Sequence, residues 1–385
     1  MNKKLAGLIS IVTAAAVIIG ATENLKADEG KSNPLSGVKF EVLGYVDYSN
    51  GQSPLAGNNQ MGYNKFSLTR GYFTFKKSGP AWIGVRVTMD IYQDDTGDYK
   101  VREKYLYAEL KANGTGPFTQ LTSEIGLGHI PWLDFEEHVN PFRCQGTMAI
   151  ERAGVLNSAD FGVSLRGNLG GKLAEASKKT GNSHYDGLYG SWHLGVYNGG
   201  GYHAPENNNN KVVEGRLTIR PLPQIVPGLQ VSYFGVFGKG NIASHPDYKV
   251  NLGMVSFEHP RLILTGQYFI TDGNSKGSWI AAGEAVKTAG FSVFGNFNAL
   301  PEYGFTVFGR YDHFDSDKDK VIADKAAYNM VVAGFSYDLS QGNLILVDYE
   351  NTSYEDNAST KGNLPVVGDN LGKDHKLQVV YQISF

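Results

Sequence analysis

Read back from its last residue, the chain alternates. Phe385, Ile383, Tyr381, Val379 and Leu377 are apolar; Ser384, Gln382, Gln378 and Lys376 between them are polar, and only Val380 breaks the order. A period of two places one set on each face of a β-strand. Such a strand needs an oily environment on one side and a wet one on the other. Two architectures offer that: a soluble sandwich with one solvated face, or a sheet closed around water with its apolar side turned to lipid.

The pattern recurs along the chain. In 81–93, Ile83, Val85, Val87, Met89 and Ile91 alternate with Gly84, Arg86, Thr88 and Asp90. In 157–169, Phe161, Val163 and Leu165 alternate with Gly162, Ser164 and Arg166. In 211–220, Val213, Leu217 and Ile219 alternate with Glu214, Arg216, Thr218 and Arg220, and in 343–353 Asp348 and Glu350 sit between Ile345, Val347 and Tyr349. Sixteen segments of this kind are predicted, at roughly 37–47, 64–76, 81–93, 101–111, 121–129, 157–169, 185–197, 211–220, 229–237, 248–258, 261–271, 285–298, 303–314, 327–338, 343–353 and 373–385. The connections fall into two classes. Those around 77–80, 259–260, 299–302 and 339–342 are tight, whereas 48–63, 130–156, 198–210, 272–284 and 354–372 are long. Short turns at one end and long loops at the other, with an even strand count, are what a closed transmembrane barrel requires, and a sandwich does not predict them. Two connections misfit: 170–184 is long for a turn and 94–100 is short for a loop.

The fold class expected is therefore all-β, a transmembrane antiparallel up-and-down barrel of about 16 strands. Its lumen would be wide enough for water. A basic residue on the lipid face would cost about 2–4 kcal/mol at mid-depth, so the charged face is assigned to the lumen. The candidate pore-lining residues are Arg86, Asp90, Arg166, His193, Glu214, Arg216, Arg220, Arg310, Asp312, Asp348 and Glu350.

The ends and the composition agree. Lys3-Lys4, the apolar run 5–19 and Gly20-Ala21 have the layout of an export signal. Cleavage is expected after Ala21, with Ala27 as the second choice, leaving 22–385 as one domain. The run is short for a membrane span, which takes roughly 20 residues. The mean hydropathy of −0.27 is low, yet Gly 48, Tyr 22 and Phe 20 are high; lipid-facing residues on alternate positions with aromatic girdles give that combination. The single cysteine, Cys144, excludes an internal disulfide framework and any multi-cysteine metal or haem site. A formal charge of −3 suggests no nucleic-acid partner. His129, His138 and Glu136-Glu137 do not have the spacing of a helix-borne zinc site, and 312–319 lacks the central Gly and terminal Glu of a calcium loop. No nucleophile elbow or phosphate-binding Gly-rich loop is present. No metal, cofactor or catalytic activity is expected.

Several stretches carry a resemblance. They are Gly128-His129-Ile130-Pro131-Trp132 with Glu136-Glu137, Asn157-Ser158-Ala159-Asp160-Phe161-Gly162-Val163, and Gly195-Val196-Tyr197-Asn198-Gly199-Gly200-Gly201-Tyr202. With the strand layout, the chain resembles porins of the phosphate-selective (O and P type) superfamily in its broad sense. The resemblance implies the outer membrane of a Gram-negative bacterium, surroundings of lipid bilayer and lipopolysaccharide, a homotrimer, and passive diffusion of small hydrophilic solutes. It also implies that the barrel assembly machinery reads the final strand, with Tyr381 and Phe385 as its signal, and that the third external loop, 130–156, folds inward as a constriction. Trp132 and Phe135 would then pack on the wall, while Asp134, Glu136, Glu137 and Glu151 face Arg143 and Arg152, giving a mild cation bias. One departure stands out: the candidate lumen cations are about matched by acids, unlike the arginine ladder and lysine cluster of phosphate-selective members. A second reading is a barrel sheath around a multihaem cytochrome. The chain has no CxxCH motif, so the cytochrome would be a separate chain, and an inward loop would obstruct it.

Overall fold

The computed structural model describes residues 37–94 and 96–385; the expected export signal lies outside the described residues. Sixteen strands form one closed barrel. They are β1 (Val38–Leu55), β2 (Asn59–Ser78), β3 (Ile83–Gln93), β4 (Tyr99–Thr115), β5 (Phe118–His129), β6 (Ala159–Leu169), β7 (Gly190–Tyr197), β8 (Val212–Ile219), β9 (Leu229–Lys239), β10 (Asp247–His259), β11 (Leu262–Asp272), β12 (Lys287–Leu300), β13 (Phe305–Asp315), β14 (Ala327–Ser340), β15 (Asn343–Tyr354) and β16 (Lys373–Ser384). Each pairs antiparallel with its neighbour in sequence, and β16 returns to β1 with Leu43 opposite Ser384 and Gln52 opposite His375. Val42 and Phe385 complete the seam by exchanging two backbone hydrogen bonds of 2.8 and 3.0 Å. Closure leaves no row of unpaired amides, the condition for putting a sheet in hydrocarbon.

The outer surface is apolar as the alternation requires. Val85, Phe161, Val213, Leu217, Tyr349, Leu377, Tyr381 and Phe385 are all exposed on it, and Glu214, Arg216 and Asp348 on the alternate positions are buried inside. Val380 breaks the C-terminal alternation for a specific reason. It faces inward, buried with Tyr45, Phe142, Phe308 and Leu346, under a loop that fills that side of the lumen.

One expected connection differs, and the two misfits have physical reasons. The stretch 48–63 is not a loop: β1 and β2 run on into it as a hairpin whose tip is only 56–58. The 94–98 turn is short because Asp94 caps it, its carboxylate accepting the Thr96 and Asp98 amides at 2.9 and 3.0 Å. The overlong turn between β6 and β7 spans 170–189, so β7 begins at Gly190 rather than near 185. Its chain enters the barrel.

Candidate functional site: a constriction held from both mouths

The connection between β5 and β6 folds into the lumen, as the resemblance implies, and carries helices α1 (Leu133–Val139) and α2 (Ala149–Arg152). One side of the loop is oily. Trp132, Leu133, Phe135, Val139, Met148 and Ile150 are buried against Phe234, Val236, Val250, Leu252 and Phe269 of β9 to β11. Trp132 stacks on Phe234 with centroids 5.5 Å apart. These wall positions explain why β9 and β10 show little alternation: their inward face meets protein, not water.

Polar tethers fix the two ends of this contact. Trp132 Nε1 donates to Glu136 at 2.7 Å, and Gln267 of β11 donates to its other oxygen at 2.6 Å. At the far end Arg152 pairs with Glu350 of β15 at 2.9 Å, Arg310 of β13 donates to the Thr147 carbonyl at 2.8 Å, and Gln378 of β16 donates to the Gln145 carbonyl at 2.8 Å. Gly154, at φ +82°, lies against Gly362 of the last loop; a Cβ there would sit 2.8 Å from the Gly362 Cα.

The chain between β6 and β7 acts as a strap from the opposite mouth. It contains helix α3 (Ala176–Thr180). Tyr185 donates to Asp134, its ring lies 5.3 Å from Phe135, and the Arg216 guanidinium covers both rings at 4.7 and 4.2 Å. His184 lies 3.9 Å from His138, and Asn182 bridges the His138 carbonyl (2.9 Å) to Glu258 (2.7 Å). Arg220 holds the base of the strap through the Gly187 carbonyl at 3.3 Å.

This packing corrects much of the expected lining. Glu136 and Arg152 belong to the loop's buried underside rather than to the passage. Arg216, Arg220, Arg310, Asp312 and Asp348 point inward but are covered by the loop or the strap. His193 and Glu214 are buried as well; both His193 nitrogens and one Glu214 oxygen have no hydrogen-bond partner among the described residues. Inward orientation followed from the alternation, but access to water depended on how far the loop and strap spread. Arg86, Arg166 and Asp134 do line open space. Asp90 is tied to Arg102 at 2.9 Å. Glu137 and Glu151 both bind Arg143, at 2.6 and 3.0 Å. Burial pushes Glu137 up, but Arg143, Lys104 and Arg70 override it and hold it below the usual carboxylate range.

The wet space lies along β1 to β5. A cavity of about 580 Å³ on the turn side is lined by six cations, Lys39, Lys76, Lys77, Arg86, Lys111 and Arg166, and three carboxylates, Glu109, Asp134 and Asp186. A cavity of about 500 Å³ on the loop side is lined by Lys65, Arg70, Arg143 and Lys376 with Asp47 as its one carboxylate. A run of contacts joins them. Arg70 and Lys104 both donate to the Tyr72 hydroxyl, the latter at 2.6 Å; Lys104 and Arg86 lie over the Tyr105 ring at 5.4 and 4.5 Å; the Tyr105 ring lies tilted against His129 with centroids 4.2 Å apart. Arg70, Tyr72, Arg102, Lys104 and Tyr105 were not among the residues expected. Bulges hid them: pairing slips between Tyr45 and Val46 beside Arg70, and between Thr88 and Met89, where Lys104 is the extra residue. Lys104 and Tyr105 are consecutive and both buried, a break of phase visible in the run Arg102-Glu103-Lys104-Tyr105-Leu106-Tyr107.

Glu136 yields a pH prediction. Burial raises its carboxyl from 4.5 to about 7. A raised folded-state value means the buried loop contact is fully favourable below about 4.5 and weakens as pH climbs through about 7, because the ionised carboxyl is desolvated there. Loop 130–156 should therefore be cut by protease faster at pH 8.5 than at pH 5, and Glu136→Gln should flatten that dependence.

A sixteen-stranded antiparallel barrel with the third connection of its loop side folded into the lumen is the porin fold. The chain matches no protein-family model and no curated protein. Among solved structures it is similar to the anion-selective porin from Comamonas acidovorans, at 12% identity and TM-score 0.61, covering 90% of this chain and 100% of that one. OmpF of Salmonella typhi, in complex with daunomycin, gives 12% identity and TM-score 0.60 over 90% and 97% of the two chains. OmpT of Vibrio cholerae, in its trimer form, gives 11% and 0.53 over 90% and 100%.

Proposed function

We propose that the protein is a pore of a Gram-negative outer membrane that passes small hydrophilic solutes by diffusion and prefers anions. The observation that carries this reading is the excess of cations over carboxylates among the residues lining the two cavities along β1 to β5, six to three on the turn side and four to one on the loop side, with Lys76 and Arg166 also paired to Glu41 and Glu124 behind the lining. Counting the loop alone suggests a mild cation bias. Its acids, however, are partly offset: Glu136 is buried, Arg143 pairs with Glu137 and Glu151 and cancels one of their two charges, and Asp134 accepts from Tyr185, while the barrel wall adds Arg70 and Lys104. These two make no ion pair among the described residues, and tyrosine rings flank them instead. Cation–π contact positions a cation without cancelling its charge. In this respect alone the reading leans towards the phosphate-selective superfamily. Export by the 1–21 signal, assembly through Tyr381 and Phe385, and a trimeric state like that of the OmpT form belong to the same proposal. A cytochrome sheath is disfavoured because loop and strap occupy the space a threaded partner would need.

Single-channel recording in planar bilayers across a KCl gradient tests it. An ohmic pore whose reversal potential has the sign of chloride preference is expected. Cation preference would reject the selectivity, and silence from folded protein would reject the pore.

A further inference from the structure

The turn between β10 and β11 needs only Pro260 and Arg261, but the connection between β6 and β7 at the same mouth spans 170–189. Ordering each added residue costs conformational entropy, so length beyond closure calls for contacts that hold it. The two ends of the strap pair with each other. Lys172 bridges Gly187, and the Leu173 and Leu188 amides donate to the Asp186 and Gly171 carbonyls at 2.7 and 3.0 Å. The tip reaches the β10–β11 turn. A Cβ on Gly181 would sit 3.1 Å from the Pro260 Cα, and Asn182 donates to Glu258 at the end of β10 at 2.7 Å. The strap therefore crosses the mouth as a chord from β6–β7 to β10–β11 and cuts off the arc of β8 and β9.

A mere prop for the constriction loop would bury its inner edge against that loop. The strap does not. Ser183 and His184 are exposed, Tyr185 and Asp186 are half-buried, and all four line the turn-side cavity of about 580 Å³ together with Lys39, Lys76 and Lys111 of β1, β2 and β4. The loop-side cavity is lined by 143–147 of the constriction loop and by no described residue of the strap. Loop and strap thus border different parts of the wet path. We infer that the strap is a second size filter, in series with the constriction loop, that sets the limit for hydrophilic solutes at the turn-side mouth. This rests on the pore reading above. The filter acts on bulk rather than charge, because the polar groups on its edge are already engaged. Asp186 accepts from Asn168 at 2.9 Å and pairs with Lys172 at 3.3 Å, and the Tyr185 hydroxyl donates to Asp134. The pore is then asymmetric: a solute that enters from the loop side meets the loop first and the strap second, and one from the turn side meets them in the reverse order.

The test is exclusion of polyethylene glycols of graded size, added to one side of a planar bilayer at a time, in the full-length protein and two variants. A tag fused ahead of β1, which starts at the turn side, tells the two mouths apart. Ser183→Trp adds bulk at an exposed residue of the cavity lining. Replacement of 174–185 by two glycines removes the tip and keeps the paired ends. With polymer on the turn side, Ser183→Trp should lower the largest size that enters, and the shortened strap should raise it. With polymer on the loop side, the limit should stay that of the unaltered pore. The heat-dependent gel shift of the barrel checks folding, and Ser183→Trp decides alone if the shortened strap does not fold. An unchanged turn-side limit in the folded variants would overturn the filter. Limits that move equally from both sides would mean that the strap only positions the loop, and would overturn its action in series. Both results leave the pore reading standing; that reading falls if the unaltered, folded protein does not conduct.

Discussion

Replacing Arg70 and Lys104 together by glutamate should turn an anion-preferring pore into a cation-preferring one. The two cations belong to β2 and β4, and both act electrostatically on Glu137 of the inward loop. An ion passing about 6 Å from one of them feels roughly 1–3 kcal/mol, depending on how much water shares the space, and the double substitution inverts that contribution at both positions. Each 1.4 kcal/mol changes a partition ratio about tenfold, so inversion at two positions without ion pairs among the described residues should outweigh the more exposed cations of the two cavities. Lys65→Glu, at the exposed mouth, should shift the reversal potential far less, because water and salt screen charges there. A reversal potential in the double variant that keeps its sign would place the selectivity filter elsewhere in the barrel.

The reason these two residues were not legible beforehand is instructive. Alternation reports which face a side chain takes only while pairing stays in phase. Phe161, Val163 and Leu217 lie outside, and Ser164, Glu214 and Arg216 inside, because β6 and β8 are regular; the barrel, its strand number and its closure could be read from such segments. A bulge resets the phase, and Lys104 is itself the bulged residue. Sequence periodicity also cannot separate an inward residue in water from an inward residue under a loop. Asp348 and Arg310 look like pore lining in isolation, but they lie where the 130–158 chain packs. Val380, Val250 and Leu252 carried the missing signal: apolar residues at positions that ought to be wet mark the arc of wall that the loop covers. The turn that seemed too long, 170–189, carried the rest, since a connection far longer than closure needs has somewhere else to go.

Trp132→Ala combined with Phe135→Ala should free the constriction loop while leaving the barrel folded. Both side chains are wholly buried, and removing a large aromatic from a packed site costs about 3–5 kcal/mol. That cost need not fall on the barrel. The sixteen strands are held by a continuous ladder of backbone hydrogen bonds that the loop does not supply, and parts of a protein with separate contacts open separately. Trp132 also donates to Glu136, so its loss leaves a buried carboxyl with Gln267 as its one remaining donor, and Phe135 is the surface on which Tyr185 of the strap rests. Loop and strap should therefore loosen together. The expected result is a larger and noisier single-channel conductance, weaker ion selectivity as Glu137 and Arg143 leave their places opposite Lys104, and rapid proteolysis within 130–156 and 170–189, with the heat-dependent gel shift of the barrel retained. Cleavage confined to 130–156 would show that the strap stands without the loop, through Asn182 and Arg220 alone. A barrel that no longer folds would mean that the dry core inside it, rather than the closed sheet, carries the stability of the whole.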